Sequence, residues 1–392
     1  MKREAYVFNN PKESFYVMEQ TVDKRSRLYW LDLARVVAII SVLCNHALNR
    51  SFSLYQDTQA EFMQMSLYGS FIKALINVFS RLGVPLFLMV TGSLLLKRDY
   101  ENKNNLKRFL RHNWLSLFRT TEIWLIIMFL FLQIFPNSTL RTEGIPASVI
   151  RFFETLLFVN QETMASMWYM AMILIVYLMI PVISVCIKKL GDKYLGILLS
   201  VAIIIGVVIP NISVMIETAG VHYSLISAIN ISDLFSIYII YVVIGYWISE
   251  KFMKNFKSVL IYSGFVIGLV STSIFQCWVY SAPIDYSIRY ADIGILITSI
   301  FLFEIIRRRQ KETIESNIVK IITYISRISF GIYFVHICVM TGVNTVIDSF
   351  LHVTGFLEFI ILVLSSFVIS VIVISIVSQN KTLGRLLFML KD

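Results

Sequence analysis

Charged and titratable residues inside a long apolar segment are the first candidates for chemistry in this chain. Residues 31–50 read LDLARVVAIISVLCNHALNR and are apolar enough to cross a bilayer. Arg35 and His46 are 11 residues apart, so on one helix they differ by about 20° in direction and about 16 Å in height. Asp32 precedes Arg35 by three residues and could hold its guanidinium. This spacing predicts one inward polar stripe. The alternative is a structural Asp–Arg pair beside an unrelated, hydrogen-bonded histidine.

A second histidine lies in the late apolar segment SRISFGIYFVHICV, residues 326–339. Ser329, Tyr333 and His336 fall on one helical face. His336 is expected at a depth similar to that of His46, so two imidazoles and a phenol could converge on one cavity and transfer protons near neutral pH. An interhelical hydrogen-bond cluster would explain the same pattern. No HxxxH or HExxH spacing occurs, and we predict no metal site.

Several further basic residues fall inside apolar segments. Lys73 and Arg327 lie near predicted helix ends, from which their side chains could reach the interface. Arg81 and Arg119, like Arg35, lie deeper, where an ionisable group is costly unless it faces a polar interior. We therefore expect a water-accessible cavity inside the bundle.

A basic pair lies just before the third apolar segment, in KRFLRHNW, residues 107–114. Arg108 and Arg111 are three residues apart and would share a helix face, where two guanidinium groups bind phosphates well. The alternative is the ordinary positive charge of cytoplasmic loops.

The elements that must hold these residues are membrane helices. Of the 392 residues, 57% are hydrophobic and 15% charged, whereas soluble domains have about 25% charged residues. We predict an all-α, polytopic integral membrane protein. Its ten predicted spans are 28–48, 70–96, 114–135, 167–187, 193–211, 232–249, 257–279, 290–306, 319–344 and 355–378.

The distribution of basic residues predicts the orientation of these spans. With both termini cytoplasmic, the segments on that side carry 26 of the 35 lysines and arginines, as positively charged loops stay inside. The domain organisation is then an N-terminal cytoplasmic tail, 1–27, a ten-helix membrane domain, 28–378, and a C-terminal cytoplasmic tail, 379–392. The net charge of +10 fits an anionic lipid bilayer as partner and gives no case for nucleic acid.

Five motifs in order resemble the membrane acyltransferase-3 family, whose members modify bacterial surface glycans. The first span has the arginine, ten residues, histidine pattern of that family. The others are VPLFLMVTGSLLL (84–96), the RxxR pair, WYMAMILIVYLMIP (168–181) and SFGIYFVHI (329–337). The chain departs from the pattern at Thr91-Gly92-Ser93, where the family usually has Ser-Gly followed by an aromatic residue.

The resemblance implies transfer of an acyl group, usually acetyl, from cytoplasmic acyl-CoA to a sugar hydroxyl of a polysaccharide or lipid-linked sugar in the bacterial cell membrane. His46 and Arg35 would be catalytic, His46 as general base or acyl carrier, and Arg108 and Arg111 would bind acyl-CoA. Further residues would assist, and no tightly bound cofactor is expected. These assisting residues are Asp32, Arg81, Tyr333 and His336.

Two other functions are compatible with buried charge in a bundle. A transporter or flippase of a small solute or glycan would use the same polar pathway, although inverted repeats are missing from the sequence. A polysaccharide polymerase would act on lipid-linked units and would not need a CoA-binding arginine pair. Turnover of acyl-CoA distinguishes an acyltransferase from both.

Overall fold

In the computed structural model, the described residues are 28–54, 57–134, 144–158, 167–219, 237–250, 252–282, 286–310 and 316–390, and every regular element among them is helical. The predicted tail 1–27 lies outside this range, as do the last two residues of the predicted tail 379–392. The α-helices are α1 (Tyr29–Ser51), α2 (Thr58–Gln64), α3 (Leu67–Ser80), α4 (Gly83–Leu95), α5 (Lys103–Phe109), α6 (Leu115–Ile134), α7 (Gly144–Leu156), α8 (Trp168–Ile203), α9 (Ile209–Thr218), α10 (Ile237–Ser249), α11 (Ser258–Ser281), α12 (Ile293–Arg307), α13 (Asn317–Val346), α14 (Gly355–Val377) and α15 (Lys381–Phe388).

Among the described residues, most of each predicted span is helical, and eight helical segments there are long and apolar enough to cross a membrane. The protein is therefore an all-helical, multi-pass membrane protein. The described parts of α10 and α12 have 13 and 15 residues, short of the roughly 20 needed to span the hydrocarbon core. The count of ten spans and the cytoplasmic position of both termini remain predictions.

Helix α1 lies at the centre of the bundle. It contacts α3, α4, α12, α13 and α14, and most of its residues are buried. A helix surrounded in this way can present polar side chains to the protein interior instead of the lipid. This position explains how α1 accommodates Asp32, Arg35 and His46.

The second predicted span is interrupted in its middle by a proline. Pro85 has no N–H, and its ring would clash with the carbonyl of the residue four positions earlier, which is Arg81. Helix α3 accordingly ends at Ser80, and α4 begins at Gly83. Arg81 thus lies at a break between two helices, inside the bundle, with 6% of its surface exposed.

Helices α4 and α10 cross at two glycines. A Cβ at Gly92 would overlap the carbonyl oxygen of Val242, and a Cβ at Gly245 would overlap the backbone of Met89. Ser93 donates its hydroxyl to the carbonyl of Gly245 at 2.8 Å. The residue that replaces the usual aromatic of the family motif therefore lies in this helix crossing, where the backbones are too close for a large side chain.

An ion pair with a buried lysine joins the first half of α3 to α2. The Lys73 Nζ lies 2.9 Å from Glu61 Oε2 of α2 and donates to the carbonyl of Ser53 at 2.7 Å. The lysine side chain is 2% exposed. The expectation that Lys73 reaches the membrane interface is wrong, because its charge is neutralised within the protein.

Candidate active site

Two cavities in the bundle are lined by four of the eight predicted site residues, Arg35, Tyr333, His46 and Arg81. The Arg35 cavity has a volume of about 330 Å³ and is lined by α1, α4, α6, α8 and α13. The His46 cavity has a volume of about 850 Å³ and is lined by α1, α8, α10, Arg81 and residues 288–291. The two cavities share no lining residue, but α8 contributes to both from the stretch Trp168–Met179.

The Arg35 cavity is positively charged and partly polar. Its lining includes Arg35, Arg98, Thr91 and Asn113 but no carboxylate among the described residues. Arg35 Nη1 lies 3.2 Å from Asp32 Oδ1, as the spacing predicted. Asp32 also accepts a hydrogen bond from Ser326 of α13 at 2.7 Å. The carboxylate therefore fixes the guanidinium and joins α1 to α13, while 27% of the arginine side chain remains exposed.

The His46 cavity combines cationic and aromatic side chains. The guanidinium carbon of Arg81 lies 5.6 Å from the ring centroid of Tyr290, and that of Arg289 lies 5.0 Å from the ring of Tyr286. These distances are typical of cation–π contacts. Asn45 and Asn49, from the same helix as His46, add amide groups to the wall.

The two histidines are in ring contact. The centroids of His46 and His336 are 5.0 Å apart with an interplanar angle of 57°. His336 Nδ1 faces the carbonyls of Ile332 and Tyr333. Because carbonyls only accept, this nitrogen must carry the proton, and the neutral ring keeps its lone pair on Nε2. No hydrogen-bond partner for Nε2 is found in the described part of the chain.

Ring contacts continue from the histidines to the Arg35 cavity. Tyr333 lies 5.7 Å from His336 and 5.5 Å from Tyr169, centroid to centroid. Both tyrosines line the Arg35 cavity, whereas His46 lines the other cavity. His336 is fully buried and connects the two walls. The site is therefore two chambers separated by a short layer of two imidazoles and two phenols, whose rings are in contact from one chamber wall to the other.

The structure separates residues that the sequence analysis placed in one cavity. Arg35 and Tyr333 line one chamber, while His46 and Arg81 line the other. The predicted convergence of His46, His336 and Tyr333 is seen as ring contacts, but Tyr333 and His46 line different cavities. Arg119 was expected to face the interior, but its side chain is exposed and lines neither cavity.

Arg108 and Arg111 are both exposed and line neither cavity. Arg108 belongs to α5, and Arg111 to a π-helical turn, Leu110–Trp114, that joins α5 to α6. A π turn changes the angular step per residue, so the assumption of one uniform α-helical face does not hold for this pair. Their role in binding acyl-CoA stays a prediction.

Sequence reasoning missed Arg98 and Arg289, which line the Arg35 and His46 cavities respectively. The sequence analysis treated both residues only as loop charges when it assigned the orientation of the spans. The available signal was position, since Arg98 comes three residues after α4 and Arg289 four residues before α12. A count of charges per loop treats all loop residues alike and ignores how close each one lies to a helix end.

No group of three or more His, Cys, Asp or Glu side chains that could hold a metal ion is found among the described residues.

Comparison with known proteins gives one match. A protein-family model described as an acyltransferase domain, of the acyltransferase-3 type, matches residues 28–375. This range includes both cavities and the histidine pair. Searches of the curated proteins and of the solved structures gave no match.

Proposed function

The chain belongs to the acyltransferase-3 family, and from this premise we propose that it transfers an acyl group, most simply acetyl, from a cytoplasmic acyl-CoA to a hydroxyl of a cell-surface or lipid-linked polysaccharide. The observation that carries the proposal is the pair of chambers whose walls are linked by the ring contacts of His46, His336 and Tyr333. Group transfer between two large substrates requires two binding sites and a proton acceptor where they meet.

The Arg35 cavity is the proposed donor site. Arg35, whose guanidinium is paired with Asp32, and Arg98 place two guanidinium groups in its lining, which suits the phosphates and polar arm of CoA. Arg108 and Arg111 lie outside the cavity on the same side of the predicted topology. There they would hold the nucleotide phosphates while the thioester arm enters between α1, α4 and α13.

His46 is the proposed general base. It takes the proton of the acceptor hydroxyl as the oxygen attacks the thioester carbonyl. The carbon–sulfur bond then breaks, and the leaving sulfur takes the proton from the imidazolium, so the products are the ester and free CoA. Direct acylation of His46 is the alternative route for the same bond changes.

The neighbouring residues assist in distinct ways. Asp32 holds Arg35 by the 3.2 Å contact, and Arg35 guides the thioester. His336 supports the His46 ring from behind, with its own tautomer set by two backbone carbonyls. Tyr333 lies where donor and acceptor meet, and Arg81, in the wall of the His46 cavity, would stabilise charge on the developing oxyanion.

The proposed location is the bacterial cytoplasmic membrane, with the Arg35 cavity towards the cytoplasm, where acyl-CoA is made. The family match gives no support to the transporter alternative. A polymerase would lack a use for the donor chamber.

Release of free CoA tests the proposal. Purified protein in lipid nanodiscs is mixed with acetyl-CoA and with candidate glycans in turn, and mass spectrometry follows the glycan. We expect CoA release to rise with the correct acceptor, together with one acetyl ester per CoA released. Binding of acetyl-CoA without turnover by any glycan, combined with movement of a solute across vesicles, would favour transport instead.

A further inference from the structure

The charged side chains that line the His46 cavity all carry positive charge. Arg81 and Arg289 both line it, and its described lining contains no Asp or Glu. The carboxylate nearest in sequence, Asp292, is buried outside the lining, where it accepts hydrogen bonds from the Tyr286 hydroxyl at 2.6 Å and from the Arg289 backbone N–H. Asp292 interacts electrostatically with both guanidinium groups from behind the lining. The two arginines and this one carboxylate still leave net positive charge at the cavity, which favours anions and penalises a cationic occupant.

An aromatic cluster forms another part of the same wall. The rings of Trp168, Tyr238 and Tyr290 lie 5.5–6.4 Å apart, centroid to centroid, and all three residues line the cavity. Such rings offer flat apolar faces with polar edges, which fit the C–H faces and hydroxyl edges of sugars. Asn45 and Asn49 of α1 add amide donors and acceptors to the lining.

Tyr290 joins the two features. Its ring is part of the aromatic cluster and also packs against the guanidinium of Arg81 at 5.6 Å. Arg289 is the next residue in the chain, and its side chain is exposed. A sugar stacked on this cluster would therefore have a guanidinium within reach at its margin, where a planar fork recognises carboxylate or phosphate by paired hydrogen bonds.

We infer that the acceptor bound in the His46 cavity is an anionic glycan, whose acidic group is read by Arg289 while a neighbouring sugar ring stacks on Trp168, Tyr238 and Tyr290. This inference rests on the proposed function, since it names the substrate class of the same site. The acidic group is a carboxylate, as in a uronic acid, or a phosphate, as in a sugar phosphate. Both present the same anionic oxygens to a guanidinium.

Equilibrium binding of matched sugars tests the inference without any turnover. The full-length protein in nanodiscs is titrated with a glucuronosyl-glucose disaccharide, with a glucose disaccharide of the same linkage, and with glucose 1-phosphate against glucose. We expect each acidic sugar to bind at least about tenfold more tightly than its neutral partner, a difference of about 1.4 kcal/mol. The acidic sugar with the larger gain in affinity over its neutral partner then shows whether the site prefers a carboxylate or a phosphate.

Two substitutions assign the preference to the cavity. Arg289→Gln should reduce the acidic-to-neutral affinity ratio towards one. Arg50→Gln is the matched control, because Arg50 also lies near the end of α1 that carries His46 but donates to Thr341 at 2.7 Å and does not line the cavity. It should leave the ratio unchanged. Should Arg289→Gln fail to fold, the wild-type ratio is measured at 50 and 500 mM salt, and it should fall as salt screens the guanidinium groups.

Equal binding of acidic and neutral sugars, or no binding of either, would overturn the inference, and so would the same ratio in Arg289→Gln as in Arg50→Gln. These outcomes leave acyl transfer from acyl-CoA untouched. Conversely, absence of CoA release with every glycan would remove the proposed function but would not change the binding ratio. The two failures are therefore distinguishable.

Discussion

His46 is the residue with access to a substrate-sized chamber and to a second imidazole. It lines the 850 Å³ cavity and contacts the His336 ring at 5.0 Å. His336 itself is fully buried and lines neither chamber. An acceptor in the cavity can reach His46 but not His336. We therefore assign His46 as the base and His336 as the residue that supports its ring.

Replacement of His46 by alanine or glutamine should lower kcat for acyl transfer by about 10²–10⁴-fold, the usual contribution of a positioned base. The affinity for acyl-CoA should be nearly unchanged, since the donor chamber has other walls. The wild-type rate should also fall at acid pH, because an imidazolium cannot accept a proton.

Stopped assays of CoA release with titrated acetyl-CoA measure these effects. His352→Asn is the matched control, because His352 is exposed and its φ of 48° is one that asparagine tolerates. A His46→Ala protein with wild-type kcat would show that the base lies elsewhere.

Arg98 gives a prediction that separates the two groups of donor-side arginines. Arg98→Gln should raise the KM for acyl-CoA severalfold with little change in kcat, because its charge lies in the cavity wall and acts on binding. Arg108→Gln/Arg111→Gln should raise the KM for acyl-CoA as well, but less for a truncated donor, N-acetylcysteamine thioester, that lacks the nucleotide phosphates.

Arg309→Gln serves as the reference for loss of one exposed arginine, since Arg309 bonds to Tyr262 outside both cavities. If it raises KM as much as Arg98→Gln does, a general surface charge explains the effect, and Arg98 has no particular role.

At the scale of elements, the position of the site depends on close helix crossings and one helix break. Gly92 and Gly245 let α4 approach α10, and Pro85 ends α3 so that Arg81 faces the His46 cavity. Helix α15 packs against α6, where the carbonyl of Leu387 in α15 accepts a hydrogen bond from the indole N–H of Trp124 at 2.7 Å. The same indole stacks on Phe334 of α13 at 5.1 Å, beside Tyr333.

Gly245→Ala should lower the free energy of unfolding by about 1–3 kcal/mol, because the added methyl would overlap the Met89 backbone and force the helices apart. Gly342→Ala is the control within α13, where a Cβ would meet nothing within 4 Å. There alanine should be neutral or stabilise by up to about 1 kcal/mol.

Thermal unfolding in one detergent compares the two glycine variants. Equal midpoints for Gly245→Ala and wild type would mean that α4 and α10 are less closely packed than the structure shows.

The fold of the whole molecule was largely predictable from its hydrophobic pattern. The described part of each predicted span is largely helical, because a run of apolar residues in lipid must satisfy its own backbone. The Asp32–Arg35 contact was predictable from spacing within one helix. The separation of Arg35 and His46 into two chambers was not, since it depends on α8, whose stretch from Trp168 to Met179 is apolar or aromatic on every side and shows no inward face in its sequence.

The predicted orientation can be checked across the whole molecule by labelling single cysteines in a background without the four natural ones. Ala60→Cys in α2 and Asn105→Cys in α5 are both at exposed positions. With both termini inside, an impermeant maleimide should label Cys at position 60 in intact cells and at position 105 only after permeabilisation. The opposite pattern would invert the topology and place the Arg35 cavity on the outer side.

The central claim is that an acyl group passes from a donor in one chamber to an acceptor in the other, and vesicles with separated substrates test it most directly. Protein is reconstituted with glucuronosyl-glucose and glucose oligosaccharides trapped inside, and labelled acetyl-CoA is added outside only. We expect labelled ester on a trapped oligosaccharide with wild-type protein and none with His46→Ala. In a parallel sample the same oligosaccharides are also added outside. Label only on that outer oligosaccharide, or no label while acetyl-CoA is hydrolysed equally by both proteins, would contradict transfer through the two chambers.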